Sequence, residues 1–208
     1  MKDIAIYGAG GFGRETSLLI QQINAHSQQW NLIGFYDDGI KPGTRVGNWP
    51  VLGGMVDLPK TAKPSMVVAV SDPLVRQSVV ERLSINKYDF PSLIHPTCQT
   101  GVDNQIGKGC VLTAGVILTI GIKIHDFVII NLQSTVGHDV VLGSFTAIMP
   151  GCSISGNVKI GACTMMGTGA RILQNITIGD HCRIGAGAVV TQDFSDHKTL
   201  VGVPAYEK

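Results

Sequence analysis

The octet VGHDVVLG, residues 136–143, places a histidine next to an aspartate inside an apolar, glycine-rich stretch. Imidazole gains and loses its proton near neutral pH, so His138 is a candidate general base. The carboxylate of Asp139 is a candidate partner that would orient the ring. Successive side chains of a strand point to opposite faces, so the two can meet only if the chain turns, which Gly137 permits. The elements around the pair therefore decide its chemistry.

An aliphatic residue recurs every six positions between Ile94 and Val190. Sixteen of these seventeen positions hold Ile, Leu, Val or Met, and Thr100 is the exception. Neither a helix nor a simple strand has this period. It is typical of the hexapeptide repeat of a parallel β-helix, in which three units close one triangular coil. The repeat predicts a β-helix with a C-terminal tail for residues 91–208, and it places His138 at an outward corner.

Residues that are three hexapeptides apart stack in such a coil, so the sequence predicts columns of neighbours. The column of His138 continues to Gly156, which would leave an opening beside the base and a backbone N–H that could stabilise an oxyanion. The side chains of a second column are mostly small and form a smooth surface, which could accept an extended ligand. Alternatively, these residues are small only because the corners turn tightly. This second column consists of Ala114, Leu132, Pro150, Thr168 and Ala186.

The cysteines and the other histidines do not indicate a metal site. Five cysteines without CxxC spacing argue against a disulfide framework and a zinc ribbon, and four of them fall in an inward column as small core residues. His125, His138 and His181 fall in three different columns, so no zinc triad within one chain is expected. We therefore predict no metal.

Residues 1–90 alternate strands and helices, which predicts a small α/β domain. Gly8, Gly10 and Gly13 form a GxGxxG pattern between a strand and a helix, and Asp37 and Asp38 end the next strand. Backbone amides at such a turn accept a phosphate, and the acids could bind a base or ribose. The pattern alone also fits NAD(P), but about 90 residues are only half of a two-lobed dinucleotide fold. A nucleotide-sugar diphosphate fits better, and a structural turn is the remaining alternative.

Composition excludes several classes of partner. A net charge of +1 gives no reason to expect nucleic acid or an anionic membrane surface as partner. The N-terminus lacks a signal-peptide pattern, and the longest uncharged apolar run, residues 109–122, is shorter than the ~20 residues of a spanning helix. The sequence thus predicts a soluble, cytoplasmic protein.

With these features together, the sequence resembles the nucleotide-sugar N-acetyltransferases of bacterial glycan pathways and the related sialic acid O-acetyltransferases. The matching segments are YGAGGFGRE, FYDD, LIHPTC, STVGHDVVLGSF, GNVKIG and VGVPA. The resemblance implies a Rossmann-like α/β half domain followed by an all-β, left-handed parallel β-helix. It also implies that His138 is the general base and that Asp139 raises its basicity.

The resemblance further implies a nucleotide-sugar site and a donor site. The donor, acetyl-CoA, would lie along the β-helix, in a groove between subunits of a homotrimer. Two positions depart from the family pattern, because Ala147 stands where relatives carry a second histidine, and Ser71 stands where a glycine is common. The implied nucleotide-sugar residues are Gly10, Gly11, Phe12, Asp37, Asp38 and Ser71; the implied donor-site residues are Ala147, Gly156, Thr168 and Ala186.

Three other functions remain open from the sequence. The acceptor could be a hydroxyl of sialic acid or of another sugar instead of an amine. The β-helix could be a non-catalytic, trimeric scaffold that binds a partner. The glycine turn could serve an NAD(P)-linked enzyme. The hypothesis that we carry forward is transfer of an acetyl group from acetyl-CoA to the amino group of a nucleotide-linked sugar, by direct attack and without an acyl-enzyme.

Overall fold

Two units make up the chain in the computed structural model, which describes all residues from 1 to 208. The first comprises residues 1–71 and 75–91, and the second comprises residues 72–74 and 92–208. Neither of the two α-helices has the length and apolarity that a membrane-spanning helix requires.

The first unit is built on a five-stranded sheet that is parallel except for one edge hairpin. The strands are β1 (Lys2–Tyr7), β2 (Trp30–Tyr36), β3 (Arg45–Val46), β4 (Trp49–Gly53) and β5 (Ser65–Val68), in the order β3-β4-β2-β1-β5. Helix α1 (Gly11–His26) follows β1, a 3₁₀ turn spans Met55–Asp57, and helix α2 (Pro73–Ile85) follows β5.

The glycine turn that joins β1 to α1 is tightly packed. A side chain at Gly13 would collide with the carbonyl oxygen of Gly8, so only glycine lets the helix begin this close to the strand. Strands β2 and β5 both pair with β1 in parallel. The carboxyl ends of all three strands therefore meet at one edge of the sheet, where ligands of open α/β sheets bind.

The second unit is a parallel β-helix with three faces, and up to residue 190 the strands of each face stack 18 residues apart, as in the pair Ile130 and Ile148. Face one contains β6 (Leu93–Ile94), β9 (Val111–Leu112), β12 (Ile129–Ile130), β15 (Ala147–Ile148), β18 (Met165–Met166) and β21 (Arg183–Ile184), followed by β23 (Thr199–Val201) and β24 (Tyr206–Glu207). Face two contains β7 (Gln99–Thr100), β10 (Ile117–Leu118), β13 (Thr135–Val136), β16 (Ser153–Ile154), β19 (Arg171–Ile172) and β22 (Val189–Val190). Face three contains β8 (Gln105–Ile106), β11 (Lys123–Ile124), β14 (Val141–Leu142), β17 (Lys159–Ile160) and β20 (Thr177–Ile178).

The six-residue ladder forms the core of the β-helix. Its members from Leu112 to Val190 are all buried. The first two members, Ile94 and Thr100, are exposed because the first coil has no coil below it. The second inward column includes Cys110, Cys152 and Cys182, each 0% exposed, as predicted for small core residues.

The corners of the coil differ from the sequence-based prediction in one respect. From Asp103 to Gly187 the chain turns at the fourth residue of every hexapeptide, where either glycine or another residue adopts a left-handed backbone, and at Asp139 φ is +58°. The chain turns at the pair, as the contact between His138 and Asp139 requires, but the left-handed residue is Asp139 and not Gly137, which the sequence suggested as the residue that permits the turn. Gly137 instead allows close stacking of coils, since a Cβ there would lie 2.7 Å from the backbone nitrogen of Gly156.

Candidate active site

His138 and Asp139, the predicted catalytic pair, lie at the corner between faces two and three, which we call the catalytic corner after this prediction. The left-handed backbone of Asp139 brings its carboxylate back to the preceding ring, and its Oδ2 lies 2.8 Å from Nδ1 of His138. Both side chains are exposed, at 61% and 67%. A carboxylate only accepts hydrogen bonds, so Nδ1 carries the proton of the neutral ring and Nε2 is the basic nitrogen.

The imidazole of His138 lies directly on the backbone of Gly156. A Cβ at position 156 would collide with Nε2 and Cε1 and would lie 2.8 Å from Cδ2 of the ring. The opening predicted beside the base is therefore absent, because the ring itself fills the space above this glycine. The carbonyl of Gly156 accepts a hydrogen bond from the backbone N–H of Asn175. The N–H of Gly156 donates no hydrogen bond within the protein.

A second glycine supports the aspartate, and sequence reasoning missed it. Gly121 lies one coil before Asp139 in the same column, and a Cβ there would lie 2.9 Å from Oδ1 of Asp139. The backbone N–H of Asp139 donates to the carbonyl of Ile120 over 3.1 Å. The signal for Gly121 was present in the sequence, since columns of residues 18 apart show a glycine next to each partner of the pair, one coil after His138 and one coil before Asp139.

A groove of about 520 Å³ runs along a different corner, between faces one and two, and we call it the donor groove because the predicted donor-site residue Thr168 lines it. Four of the five residues of the smooth column line it, and Ala186 lies exposed one coil beyond Thr168. The sequence did not predict the second row of its wall, which consists largely of glycines. The lining residues are Ala114, Gly115, Leu132, Gln133, Pro150, Gly151, Thr168 and Gly169.

Within one chain the structure does not bring all the predicted β-helix residues together. His138, Asp139 and Gly156 share the catalytic corner, whereas Thr168 lies in the donor groove. Ala147 is fully buried on β15 and is not part of the groove wall. The two corners are separated by the width of face two, on the order of 15 Å for a six-residue extended side.

In the first unit, Asp37 connects the glycine turn to the end of β2. Its Oδ2 accepts the N–H of Ala9 at 2.8 Å, and its Oδ1 accepts the N–H of Gly39 at 2.9 Å. Asp37 thus fixes the backbone of the turn, although each oxygen keeps a lone pair for a ligand.

Asp38 is held by a different set of groups. Its Oδ1 accepts the N–H of Met55 at 2.7 Å, and the guanidinium of Arg82 lies 3.4 Å from Oδ2. The hydrogen bond from Met55 lowers the pKa of the Asp38 carboxyl below its usual value, and Arg82 acts in the same direction. Burial raises the pKa of the nearby Tyr7, with the charge of Asp38 as a further cause.

A cavity of about 370 Å³ lies in front of the glycine turn. Gly10 and Gly11 line it as predicted substrate residues, together with Arg14 and Arg45, which sequence reasoning missed. Phe12 is half-buried, Ser71 is half-buried in the loop that follows β5, and neither lines this cavity. Arg45 belongs to the β3–β4 hairpin, whose position over the turn no local pattern indicates.

Four of the five thiols are poor nucleophiles because burial disfavours their thiolates. Burial raises the pKa of Cys110 to about 11, and burial also raises the pKa of Cys98, Cys152 and Cys182. The thiols of Cys110 and Cys152 each lie 3.2 Å from a backbone carbonyl oxygen. The structure contains no cluster of three or more His, Cys, Asp or Glu side chains that could hold a metal ion.

Comparison with known proteins gives matches in both units. Residues 3–83 match the PglD N-terminal domain family, and residues 157–192 match the bacterial transferase hexapeptide family (six repeats). A curated relative, the GDP-perosamine N-acetyltransferase of Escherichia coli O157:H7, is 31% identical over 153 residues, which are 73% of this chain and 69% of the relative.

Solved structures match over the whole chain. The acetyltransferase domain of PglB from Neisseria gonorrhoeae FA1090, in complex with acetyl coenzyme A, is 32% identical with a TM-score of 0.90, covering 100% of this chain and 99% of the other. PerB from Caulobacter crescentus, in complex with CoA and GDP-perosamine, is 28% identical with a TM-score of 0.90, covering 100% and 98%. These matches confirm the predicted fold class, an α/β half domain followed by a left-handed parallel β-helix. The chain therefore belongs to the hexapeptide-repeat sugar N-acetyltransferases that carry a PglD-type N-terminal domain.

Proposed function

We propose that this protein transfers the acetyl group of acetyl-CoA to the amino group of a nucleotide-linked amino sugar, with His138 as general base. The observation that carries the proposal is the 2.8 Å contact between Nδ1 of His138 and Asp139 at an exposed corner. It leaves Nε2 as the basic nitrogen on a surface that a substrate can reach. Relatives named for the N-acetylation of GDP-perosamine and UDP-N-acetylbacillosamine support an amine acceptor.

In the proposed reaction the sugar amine attacks the thioester carbonyl of acetyl-CoA. A C–N bond forms, and Nε2 of His138 takes a proton from the attacking nitrogen while Asp139 stabilises the imidazolium. The C–S bond then breaks, and the proton passes to the leaving CoA thiolate. No acyl-enzyme is proposed, because burial raises the pKa of Cys110 and Cys152 and so disfavours their thiolates. The N–H of Gly156 is the proposed donor to the oxyanion.

The donor groove is the proposed site for the pantetheine arm of acetyl-CoA. Its wall is smooth, because glycines alternate with Ala114, Pro150 and Thr168, and its length follows the stacking axis. Ala186 extends the same column, and relatives have been solved with acetyl-CoA and CoA bound. Ala147 is buried in this chain, so we leave it out of the proposed contacts.

A homotrimer is proposed because the catalytic corner and the donor groove lie on different corners of one β-helix. A chain cannot present its own donor groove to its own His138 across the width of face two. Association of copies around a three-fold axis can place the groove of one subunit against the base of the next. Each site would then lie at a subunit interface.

The glycine turn and its neighbours are the proposed site for the nucleotide diphosphate of the acceptor. Gly10 and Gly11 offer backbone amides at the N-terminus of α1, and Arg14 and Arg45 add positive charge. Asp37 organises this turn through Ala9. Phe12, Asp38 and Ser71, at the same edge of the sheet, complete the proposed set. The cytoplasm is the proposed location, in keeping with five free thiols.

An acceptor panel tests this function. Release of the CoA thiol is measured with UDP-, GDP- and dTDP-linked 4-amino sugars and with free sialic acid. The proposal predicts turnover with at least one nucleotide-linked amino sugar and none with sialic acid. Turnover with sialic acid alone would identify an O-acetyltransferase instead. Failure of every acceptor, together with no binding of acetyl-CoA by calorimetry, would remove the proposed activity.

A further inference from the structure

Arg76, on the first turns of α2, is the largest fully buried side chain of the protein, with 1% of its surface exposed. Burial of a guanidinium is costly, so such a residue normally has a defined task. Nη1 of Arg76 donates to two consecutive backbone carbonyls, those of Val70 at 2.6 Å and Ser71 at 3.0 Å. Arg76 thus binds the loop that leaves β5.

These two hydrogen bonds fix the direction of the neighbouring amides. In a planar trans peptide the N–H points opposite to the carbonyl of the same unit. The carbonyl of Val70 accepts from Nη1 of Arg76, so the N–H of Ser71 points away from the buried guanidinium. The same N–H donates no hydrogen bond within the protein, and Ser71 is half-buried.

The loop held by Arg76 also touches the glycine turn. A Cβ at Gly8 would lie 2.8 Å from the carbonyl oxygen of Ala69 and 3.2 Å from Cγ2 of Val70. A displacement of the Val70–Ser71 peptide would therefore move the surface against which the turn packs. The loop after β5 and the turn after β1 lie at the same edge of the sheet, because β1 and β5 are parallel neighbours.

We propose that Arg76 is a positioning residue of the nucleotide site, which orients the Ser71 amide as a hydrogen-bond donor to the nucleotide of the acceptor. This inference rests on the proposed function. Arg76 itself touches no substrate. Its effect is confined to nucleotide binding, so it predicts a change in the affinity for the acceptor without a comparable change in the affinity for acetyl-CoA.

The test compares wild type with Arg76→Met and Arg76→Lys, and Lys60→Met serves as the control for loss of an exposed cation in the same unit. Calorimetry measures the Kd of UDP, GDP and dTDP, and kinetics measure kcat and both KM values. We expect Arg76→Met to weaken the preferred nucleotide about tenfold, roughly 1.4 kcal/mol. Arg76→Lys keeps the charge but lacks the rigid fork, so its Kd should lie between those of wild type and Arg76→Met. The KM for acetyl-CoA should stay within about twofold, and Lys60→Met should match wild type.

The possible outcomes distinguish a failure of the role proposed for Arg76 from a failure of the proposed function. A folded Arg76→Met protein that binds its nucleotide like wild type overturns the inference, and so does an equal rise in both KM values. If Arg76→Met does not fold, hydrogen exchange of the wild type decides, since nucleotide binding must slow the exchange of the amides in residues 69–72. Unchanged exchange would contradict the inference. Wild type that binds none of the three nucleotides would instead refute the proposed function.

Discussion

At the scale of single residues, the proposed mechanism depends on how the exposed ring of His138 is held in place. The ring is fixed from two sides, by the carboxylate of Asp139 and by the backbone of Gly156 below it. Only the turn at a left-handed Asp139 allows two adjacent residues to meet in this way. A general base held in one orientation needs no reorganisation when the amine approaches.

Replacement of Gly156 by alanine tests this arrangement. The new Cβ would collide with Nε2 of His138, so the ring must rotate away from its partner. We expect kcat to fall on the order of 10²-fold, as for other small displacements of reacting groups, while the far-UV spectrum stays native. Gln174→Ala, one coil further along the same column and exposed, is the matched control and should keep wild-type kcat. Wild-type turnover of Gly156→Ala would show that the ring position is unimportant.

Asp38 contributes to the pH dependence of stability. The hydrogen bond from Met55 lowers the pKa of Asp38 in the folded state, so this group stabilises the fold above the ordinary pKa of an aspartate, about 4. The contribution is lost as the pH falls through the folded-state pKa. Urea unfolding between pH 7 and pH 3 should therefore depend less steeply on pH in Asp38→Asn than in wild type. Asp103→Asn is the control; identical slopes in all three proteins would contradict the assignment.

At the scale of elements, the glycine turn and the coil corners position every group of the site. Gly11 and Gly13, both in the first turn of α1, have opposite roles. Gly13 faces the carbonyl of Gly8, whereas a Cβ at Gly11 would meet nothing within 4 Å. Alanine at position 13 therefore tests the close packing of the turn, and alanine at position 11 tests helix propensity alone.

Gly13→Ala should destabilise the first unit by about 1–3 kcal/mol, because α1 must move away from β1. Gly11→Ala should be neutral or stabilising by up to about 1 kcal/mol, because alanine is the better helix former. Chemical denaturation measures both. A Gly13→Ala protein as stable as wild type would mean that the helix start is not packed as tightly as the structure indicates.

The sequence predicts the backbone of this protein better than its side-chain contacts. The six-residue period determines which residues face inward, since each coil repeats the same environment, and the buried ladder from Leu112 to Val190 follows it. Periodicity could not show which corner residue adopts the left-handed backbone, so the sequence suggested Gly137 as the residue that permits the turn, whereas Asp139 is the left-handed residue. It also could not bring Arg45 to the glycine turn, because that contact depends on how a hairpin folds over a distant loop.

At the scale of the whole molecule, the separation of base and groove leads to an assay of subunit mixing. His138→Ala removes the base and leaves the groove, and Thr168→Trp blocks the groove and leaves the base. In a trimer with shared sites, equal mixing should pair an intact base with an intact groove at about a quarter of the interfaces. Co-expression of the two inactive variants should therefore restore about a quarter of wild-type activity.

The mixing assay has clear controls. Each variant expressed alone should be inactive, and light scattering should give three copies for every preparation. A mixture that stays inactive, although both variants assemble with each other, would show that base and groove serve the same chain. A monomeric wild type would refute the proposed assembly.

The central claim is that Nε2 of His138 removes the proton of the attacking amine, and one kinetic measurement tests it most directly. Steady-state rates of His138→Ala are measured with the acceptor identified in the panel, with acetyl-CoA varied separately. The account predicts a fall in kcat of about 10²–10⁴-fold, with little change in either KM, because the base acts only as the amine attacks. Turnover of His138→Ala near the wild-type rate would contradict the mechanism.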